Sequence, residues 1–442
     1  MKPLKMEMSR KEKLVISLQL LLYLSLFTLV AFVLPSCTNE CDVENTYFYY
    51  EPVYSSMEEI RSSVELLPPV ELKQVGKIYF NNGYLFINEP NEGIHIIDNR
   101  DPANPINLAF INIPGAFDLA VKGNILFSDS YMDLVAIDIS NPTAVTELGR
   151  IEGLFQEYNS YGYYANDELG VVTDWQLREE VTMTESSCAE PQYDWGVLYA
   201  EGIALTNDAS FRASQAVSPS NPGMGGSMAR FALVDNFLYA VDNYNLRTVD
   251  VANAAAMSKG GELSLDWGVE TIFPKEDNLF IGTTTGMHIM NISNPLSPEL
   301  ISTYDHIVSC DPVIVDNDIA YVTLRSGTEC QGFTNQLEVI DISDLTSPQL
   351  LYTYEMFNPH GLGKDGNALF ICDGTDGLKI YDASDNSKIT DNLLAHYESI
   401  QAFDIIPFNN VAMMIGEDGF YQYDYSDLSN IKFLSHIIIS NE

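Results

Sequence analysis

One phrase returns along the chain and constrains its fold more than any other feature. Residues 134–145 read LVAIDISNPTAV, close variants follow at 287–298 (MHIMNISNPLSP) and 337–348 (LEVIDISDLTSP), and a degraded copy stands at 246–257. In each copy an apolar run ends at an acidic, amide or small residue before a turn. A chain that repeats one such phrase is expected to stack similar structural units.

The spacing of the phrase indicates the size of the unit. Its acidic or amide residue recurs at Asp98, Asp138, Asp250, Asn291, Asp341, Asp382 and Asp424. The successive gaps are 40, 112, 41, 50, 41 and 42 residues, so the period is near 41 with one long gap. Residues 161–185, inside the long gap, resemble another unit with a corrupted phrase, which brings the number of units to about eight.

A single unit divides into four short strands. Within residues 116–153 the pattern predicts strands near 117–121, 125–128, 134–139 and 145–151, separated by turn residues. The third strand is apolar on both faces, as expected for a sheet packed between two others. We therefore predict an all-β fold, a β-propeller of about eight four-stranded blades. Seven blades are the alternative if residues 161–185 donate strands to a neighbour, and SSVELLPP at 62–69 is expected to help close the ring against the last blade.

The phrases LVAIDISNP, MHIMNISNP and LEVIDISDL resemble the LVIVD repeat over roughly residues 75–439. That repeat is found in secreted and lipid-anchored bacterial β-propeller proteins. The resemblance implies a propeller and an extracytoplasmic location, and it implies no reaction, because propellers host many unrelated functions.

The N-terminus resembles a bacterial lipoprotein signal. A basic start is followed by an apolar run from Leu14 to Leu34 and by LPSC, which ends at Cys37. We expect residues 1–36 to be a signal peptide, residues 37–63 the lipidated cysteine and a tether, and residues 64–442 the propeller, with an irregular insertion at about 186–228. An uncleaved membrane anchor is the alternative. No acidic residue follows Cys37 directly, which favours the outer membrane, on its periplasmic or external side.

The charge balance argues against several classes of partner. Asp and Glu number 62 against 22 Lys and Arg, a formal net charge of −40. Such a field repels phosphate backbones and anionic leaflets, so we expect no nucleic acid and membrane contact through the lipid anchor only. We expect a monomer without a cofactor; calcium has no supporting motif, because the acidic spacings do not match an EF-hand loop.

Two sets of residues are candidates for specific roles. Cys310 and Cys330 flank one insertion and are predicted to form a disulfide. Polar phrases at strand starts, and in loops between second and third strands, are expected to converge on one end of the central channel. They carry the candidate ligand-binding residues Glu270, Asp311, Arg325, His360 and Asp373.

These features leave two classes of function open. The first is a binding or scaffold protein that uses one propeller face to hold a protein or glycan partner. The alternative is an enzyme, a glycan hydrolase or lyase with carboxylates at the channel mouth. A mouth with two facing carboxylates favours the enzyme, and a channel filled by structural groups favours the binding protein.

Overall fold

The computed structural model describes residues 10–33, 40–155, 159–160, 163–164, 169–187, 223–265, 268–309, 312–327 and 332–440. The chain divides into two compact units. The first comprises residues 1–52 and 175–205, and the second comprises residues 53–174 and 206–442.

The first unit contains a helix and most of one strand pair. Helix α1 spans Arg10–Val33. Strand β1, Glu40–Ser55, pairs with β13, Val171–Ser187, in a two-stranded sheet. Arg178 Nε donates to Oε2 of Glu51 at 2.6 Å across this pair. No helix in the described residues combines the length and apolar character needed to cross a membrane.

The second unit begins with two short elements and two complete blades. Helix α2 spans Met57–Ser62 and strand β2 spans Glu65–Leu67. Blade 1 consists of β3 Ile78–Asn81, β4 Tyr84–Glu89, β5 Gly93–Asp98 and β6 Ile106–Asn112. Blade 2 consists of β7 Leu119–Lys122, β8 Ile125–Ser130, β9 Asp133–Asp138 and β10 Thr146–Ile151. The two-residue strands β11 Asn159–Ser160 and β12 Tyr163–Tyr164 pair with each other, and β14 spans Gly223–Gly225.

Five further blades complete the ring. Blade 3 consists of β15 Phe231–Val234, β16 Phe237–Val241, β17 Asn245–Asp250 and β18 Ser258–Ser264. Blade 4 consists of β19 Val269–Lys275, β20 Asn278–Thr283, β21 Gly286–Asn291 and β22 Glu299–Asp305. Blade 5 consists of β23 Val313–Asp316, β24 Ile319–Leu324, β25 Gln336–Asp341 and β26 Gln349–Glu355. Blade 6 consists of β27 Leu362–Asp365, β28 Ala368–Cys372, β29 Leu378–Asp382 and β30 Leu393–Tyr397. Blade 7 consists of β31 Ala402–Phe408, β32 Val411–Gly416, β33 Gly419–Asp424 and β34 Lys432–Ile438.

The all-β propeller is confirmed, and it has seven four-stranded blades, the number given as the alternative. The leading count of eight took residues 161–185 as a blade. Residues 171–187 instead form β13, whose hydrogen-bonding edge is used by β1.

The third strand of each blade ends in the turn that its sequence predicts. Leu134, Val135, Ala136 and Ile137 are all buried, which confirms that both faces of β9 are covered. Oδ1 of Asp138 then accepts the backbone N–H of Ser140 at 2.8 Å. The equivalent bond recurs in the other blades, at Asp98, Asp250, Asn291, Asp341, Asp382 and Asp424. The repeated acidic or amide residue is therefore a turn-forming group.

The ring closes between blades 7 and 1 through side chains. Asn99 and Gln422 exchange two hydrogen bonds of 2.8 Å, and both residues are buried. The N–H of Ser440 also donates to the carbonyl of Leu72 at 2.7 Å. The expected role of residues 62–69 in this closure is wrong. Strand β2 pairs with β6 and widens the outer edge of blade 1, while blade 7 takes all four strands from its own repeat.

Candidate functional site

Connections between second and third strands, and between one blade and the next, lie on one side of the ring, which we call the loop face. In several blades a carboxylate ends or directly follows the second strand. It accepts hydrogen bonds from the backbone that leads into the first strand of the same blade. Oδ1 of Asp129 accepts the N–H groups of Phe117 at 2.7 Å and Asp118 at 2.9 Å. Asp373 does the same for Phe357 and Asn358. This shared function was not predicted from the sequence, although the carboxylates recur at equivalent positions.

Asp373 is buried, and both of its carboxylate oxygens accept hydrogen bonds. Besides the two N–H groups, its Oδ2 accepts from Nζ of Lys379 at 2.6 Å, and that ammonium group also contacts Asp376 at 2.5 Å. A carboxylate with these partners positions the loop before β27. Its assignment as a ligand-binding residue stays a prediction.

His360 lies in the core below this loop. Its backbone N–H donates to the carbonyl of Cys372 at 2.7 Å, and its ring packs edge-on against Phe403 with centroids 5.4 Å apart. Burial, followed by the charge of Arg325, lowers the pKa of His360 well below its usual value. The imidazole is therefore neutral at physiological pH.

Arg325 and Glu270 lie on other blades of the loop face. Arg325 follows β24, and its carbonyl accepts the hydroxyl of Ser309 at 2.7 Å. Glu270 lies at a β-bulge in β19, where the pairing register shifts between Val269 and Thr271. The fold thus brings Arg325, His360 and Asp373 near one another on blades 5 and 6, with Glu270 on blade 4.

The remaining candidates lie outside the described residues. They are the ligand candidate Asp311, the disulfide candidates Cys310 and Cys330, and the lipidation candidate Cys37. Cys372 is a buried free thiol, and burial raises its pKa well above the usual value. Within the described ranges, no group of three or more His, Cys, Asp or Glu side chains is arranged to hold a metal ion.

The middle of the ring is occupied by the chain itself. Residues 223–230, here called the return segment, enter as β14, which pairs antiparallel to β3, the innermost strand of blade 1. The segment then bonds to the first strands or adjoining residues of five blades. Its partners are Ile78 and Lys77 of blade 1, Asp118 of blade 2, Ile272 of blade 4, Leu362 of blade 6 and Asp404 of blade 7. Because Ser227, Met228 and Ala229 are buried, this backbone fills the channel.

Asp404 is the central polar contact of the return segment. Its Oδ1 accepts both the N–H and the hydroxyl of Ser227, each at 2.9 Å. Its Oδ2 has no hydrogen-bond partner in the described part of the chain. Burial raises the pKa of Asp404 to about 6, against the opposing effects of the Ser227 bonds and the Lys77 charge. Gly226 and Gly361 pack directly on this carboxyl group, and a Cβ at either position would overlap it.

An open cavity of about 300 Å³ lies on the loop face across blades 1 to 3, and we call it the loop-face pocket. Its rings are those of Phe117, Tyr131, Phe155, Phe231 and Tyr244. Its polar side chains are Asn91, Asp118, Asp129, Arg230, Asp242 and Asn243. None of these residues was among the sequence candidates, because the pocket joins positions up to 153 residues apart in the chain.

Two of its rings are held in place, one by the backbone and one by a ring stack. Tyr131 has a φ of +54°, and it is the one aromatic side chain with a left-handed backbone among the described residues. Its ring packs against Gly115, where a Cβ would lie 2.5 Å from it. Phe155 stacks on Phe231 with centroids 5.9 Å apart. A bulky residue in this backbone region costs energy, and such strain is often found at binding sites.

Asp129 gives the pocket an unusual carboxyl group. Burial raises its pKa to about 7, although bonds from the N–H groups of Asp118 and Phe117 oppose the rise. Those bonds all go to Oδ1, and no hydrogen bond from the described residues reaches Oδ2. Asp129 is half-buried, so Oδ2 can exchange a hydrogen bond with a ligand in the pocket.

A larger cavity, of about 470 Å³, lies on the opposite side of the ring at the seam of blades 1 and 7. Turn residues such as Asn82, Gly83 and Asn409 form much of its wall, together with Phe80 and Phe408. Its one charged side chain, Arg100, is paired with Asp98. This cavity offers fewer polar groups to a ligand than the loop-face pocket does.

Sequence comparison agrees with the architecture. Residues 115–152, 272–306 and 332–356 match the LVIVD repeat. The chain is a propeller with LVIVD repeats. No curated protein matches this LVIVD propeller in sequence.

Solved structures with a similar chain trace include three propeller-sized proteins. The periplasmic gluconolactonase PpgL of Pseudomonas aeruginosa has 11% identity and a TM-score of 0.49, with 85% of this chain and 97% of that chain covered. The computationally designed protein Ika8 has 11% identity and a TM-score of 0.48, with 84% and 89% covered. BamB from Moraxella catarrhalis has 9% identity and a TM-score of 0.45, with 85% and 90% covered.

Proposed function

We propose that this LVIVD propeller is a lipid-anchored binding or scaffold protein that holds a protein or glycan partner on its loop face. The observation that carries the proposal is the return segment. Its backbone occupies the channel that a substrate would otherwise enter, and the loop-face pocket is an open concavity on that side.

The carboxylates of the loop face support the same conclusion. Asp373 is bonded to two N–H groups and Lys379, and Glu89 is bonded to the N–H of Lys73 and to His95. Carboxylates already used in this way are poorly suited to acid–base chemistry, which needs a group free to exchange a proton with the substrate.

One observation favours the enzyme alternative. Asp129 has a pKa of about 7 and lies beside Asp118, an arrangement that in other proteins provides a general acid. Against this, Oδ1 of Asp118 accepts the N–H of Leu119 at 2.7 Å and Oδ2 accepts that of Arg230 at 2.6 Å. Asp118 is thus fully used as a structural acceptor, and a second catalytic carboxylate is missing from this pair.

A binding screen tests the proposal and separates the two classes. The full-length chain, purified in detergent, is applied to a printed glycan array and to peptidoglycan, and bound glycans are then analysed for cleavage. We expect retention without cleavage. Turnover of any glycan would favour the enzyme, and the absence of both glycan and protein ligands, the latter sought by crosslinking on intact cells, would contradict the proposal.

The lipid anchor and outer-membrane location need their own test. We expect metabolic labelling with a fatty acid to modify the wild-type chain and to fail on Cys37→Ala. Membrane fractionation of the wild type should recover it with the outer membrane. Equal labelling of the variant, or recovery with the inner membrane, would contradict this part of the proposal.

A further inference from the structure

Resting on the proposed binding function, we infer that the loop-face pocket is a sugar-binding site that takes one or two neutral sugar residues of a glycan. Three properties of the pocket suit such a ligand: its rings, its hydrogen-bonding groups and its charge. Each follows from contacts within the ring.

The rings provide apolar faces of fixed orientation. Tyr131 is only 8% exposed, and its ring, fixed by the backbone and by Gly115, forms part of the buried wall of the pocket. Phe155 is half-buried and stacks on Phe231, and Tyr244 adds a ring with 42% of its surface exposed. The C–H face of a pyranose can pack on the rings of Phe155 and Tyr244, and little conformational entropy is lost at Phe155 because the stack on Phe231 already orders its side chain.

The hydrogen-bonding groups of the pocket suit hydroxyl groups. Oδ2 of Asp129 has no partner in the described part of the chain, and a carboxyl oxygen accepts from, or when protonated donates to, a sugar hydroxyl. Asn243 is exposed, and its Oδ1 accepts from Arg230 at 2.8 Å, which orients the amide group. Planar groups held this way can bind neighbouring hydroxyls in pairs.

Charge and size narrow the class of ligand. Asp242 is paired with Arg247, and the guanidinium group of Arg230 lies in the same wall as Asp118 and Asp129, so the pocket has mixed charge. A phosphorylated ligand would meet these carboxylates and the net charge of −40. A cationic ligand would find Asp118 bonded to the N–H groups of Leu119 and Arg230 and Asp242 paired with Arg247, which leaves Asp129 as its carboxylate partner in the pocket. A volume of about 300 Å³ stands at the small end of ligand sites and matches one or two sugar residues.

Saturation-transfer NMR on the full-length chain in detergent tests the site, with maltose, cellobiose, lactose and chitobiose as probes and spermidine as the cationic comparison. We expect at least one disaccharide to bind the wild type. Tyr244→Ala and Asp129→Ala should each weaken that binding at least tenfold. Tyr352→Ala is the matched control, because Tyr352 is 39% exposed on β26, away from the pocket, and it should leave binding unchanged.

The outcomes separate the sugar site from the broader proposal. Glycan binding that is unchanged in Tyr244→Ala and Asp129→Ala overturns this inference and leaves the proposed function standing. Loss of sugar binding in Arg100→Ala, with binding unchanged in the other two variants, would overturn it and would indicate that the sugar binds in the cavity on the opposite side of the ring. Binding of spermidine but of no sugar overturns it in favour of a cation site. A wild-type chain that binds a protein and no sugar also overturns it without contradicting the proposed function.

Discussion

The hydroxyl group of Ser227 donates a hydrogen bond of 2.9 Å to Oδ1 of Asp404 and accepts one of 2.7 Å from the N–H of Leu362. A single buried side chain thereby joins the return segment to blades 6 and 7. The segment is consequently part of the core of the ring, and its contacts should contribute to the stability of the whole propeller.

Removing this hydroxyl group should destabilise the protein. In Ser227→Ala, Asp404 loses one donor and the buried N–H of Leu362 loses its acceptor, so the free energy of unfolding should fall by about 1–3 kcal/mol. Urea unfolding measures the change. Ser297→Ala, at an exposed turn of blade 4, should change it by less than about 0.5 kcal/mol. Equal changes in the two variants would show that the hydrogen bonds of the return segment at Ser227 do not contribute to the free energy of unfolding.

The return segment also requires a glycine beside Asp404. A Cβ in Gly226→Ala would overlap Oδ2 of that buried carboxyl group, so the segment or β31 must move, at a cost of about 3 kcal/mol or more. Gly366→Ala is the comparison. Gly366 has a φ of +54° but open space around it, and the strain there should cost about 1 kcal/mol. Thermal unfolding should show a larger loss of stability for Gly226→Ala than for Gly366→Ala. The reverse result would contradict the close packing of Gly226 on Asp404.

Asp404 should make stability depend on pH in a defined window. Its folded pKa of about 6 is above the ordinary 3.8, so between these values the folded state holds a proton that the unfolded state has released. This group therefore lowers the free energy of unfolding as pH rises from about 4 to about 6, by up to about 3 kcal/mol in total. Asp404→Asn should lose that slope, measured by urea unfolding at several pH values. If the free energy of unfolding varied with pH in the same way for the variant and the wild type, the raised pKa of Asp404 would be contradicted.

Asp133 fastens helix α2 to blade 2. Its Oδ2 accepts from Nε of Arg61 at 2.7 Å and lies 3.1 Å from Nη1 of Arg150, and its Oδ1 accepts the N–H of Gly153 at 3.0 Å. Asp133→Ala leaves these donors without their shared acceptor and should cost about 2–4 kcal/mol. Glu147→Ala, which removes an exposed partner of Arg150, should cost less than about 1 kcal/mol. Calorimetry should show the difference, and a tolerant Asp133→Ala variant would mean that α2 is held by apolar contacts alone.

The repeat made the blades predictable and left the site unpredictable. The phrase around Asp138 predicted both the buried third strand and the turn that follows it, because a run of apolar residues and the turn residues after it are visible within a few positions of the sequence. His360 was predicted to bind a ligand, which stays a prediction, and no sequence pattern indicated that its ring packs against Phe403 or that its N–H donates to the carbonyl of Cys372. The burial of a polar side chain such as His360 depends on residues of the neighbouring blade, here Phe403, which no local pattern reports.

Local sequence by itself determined the architecture of this protein. Alternating turn residues and apolar strands, repeated about every 41 residues, allow few folds other than a ring of blades. Only the tertiary structure decided the number of blades, the filling of the channel and the position of the pocket. The pairing of β13 with β1, the bond between Ser227 and Asp404, and the pocket that Asp129 and Tyr244 both line each join residues far apart in the chain. Such contacts depend on how many blades close the ring and which segments meet there. The same strand pattern is compatible with more than one such arrangement.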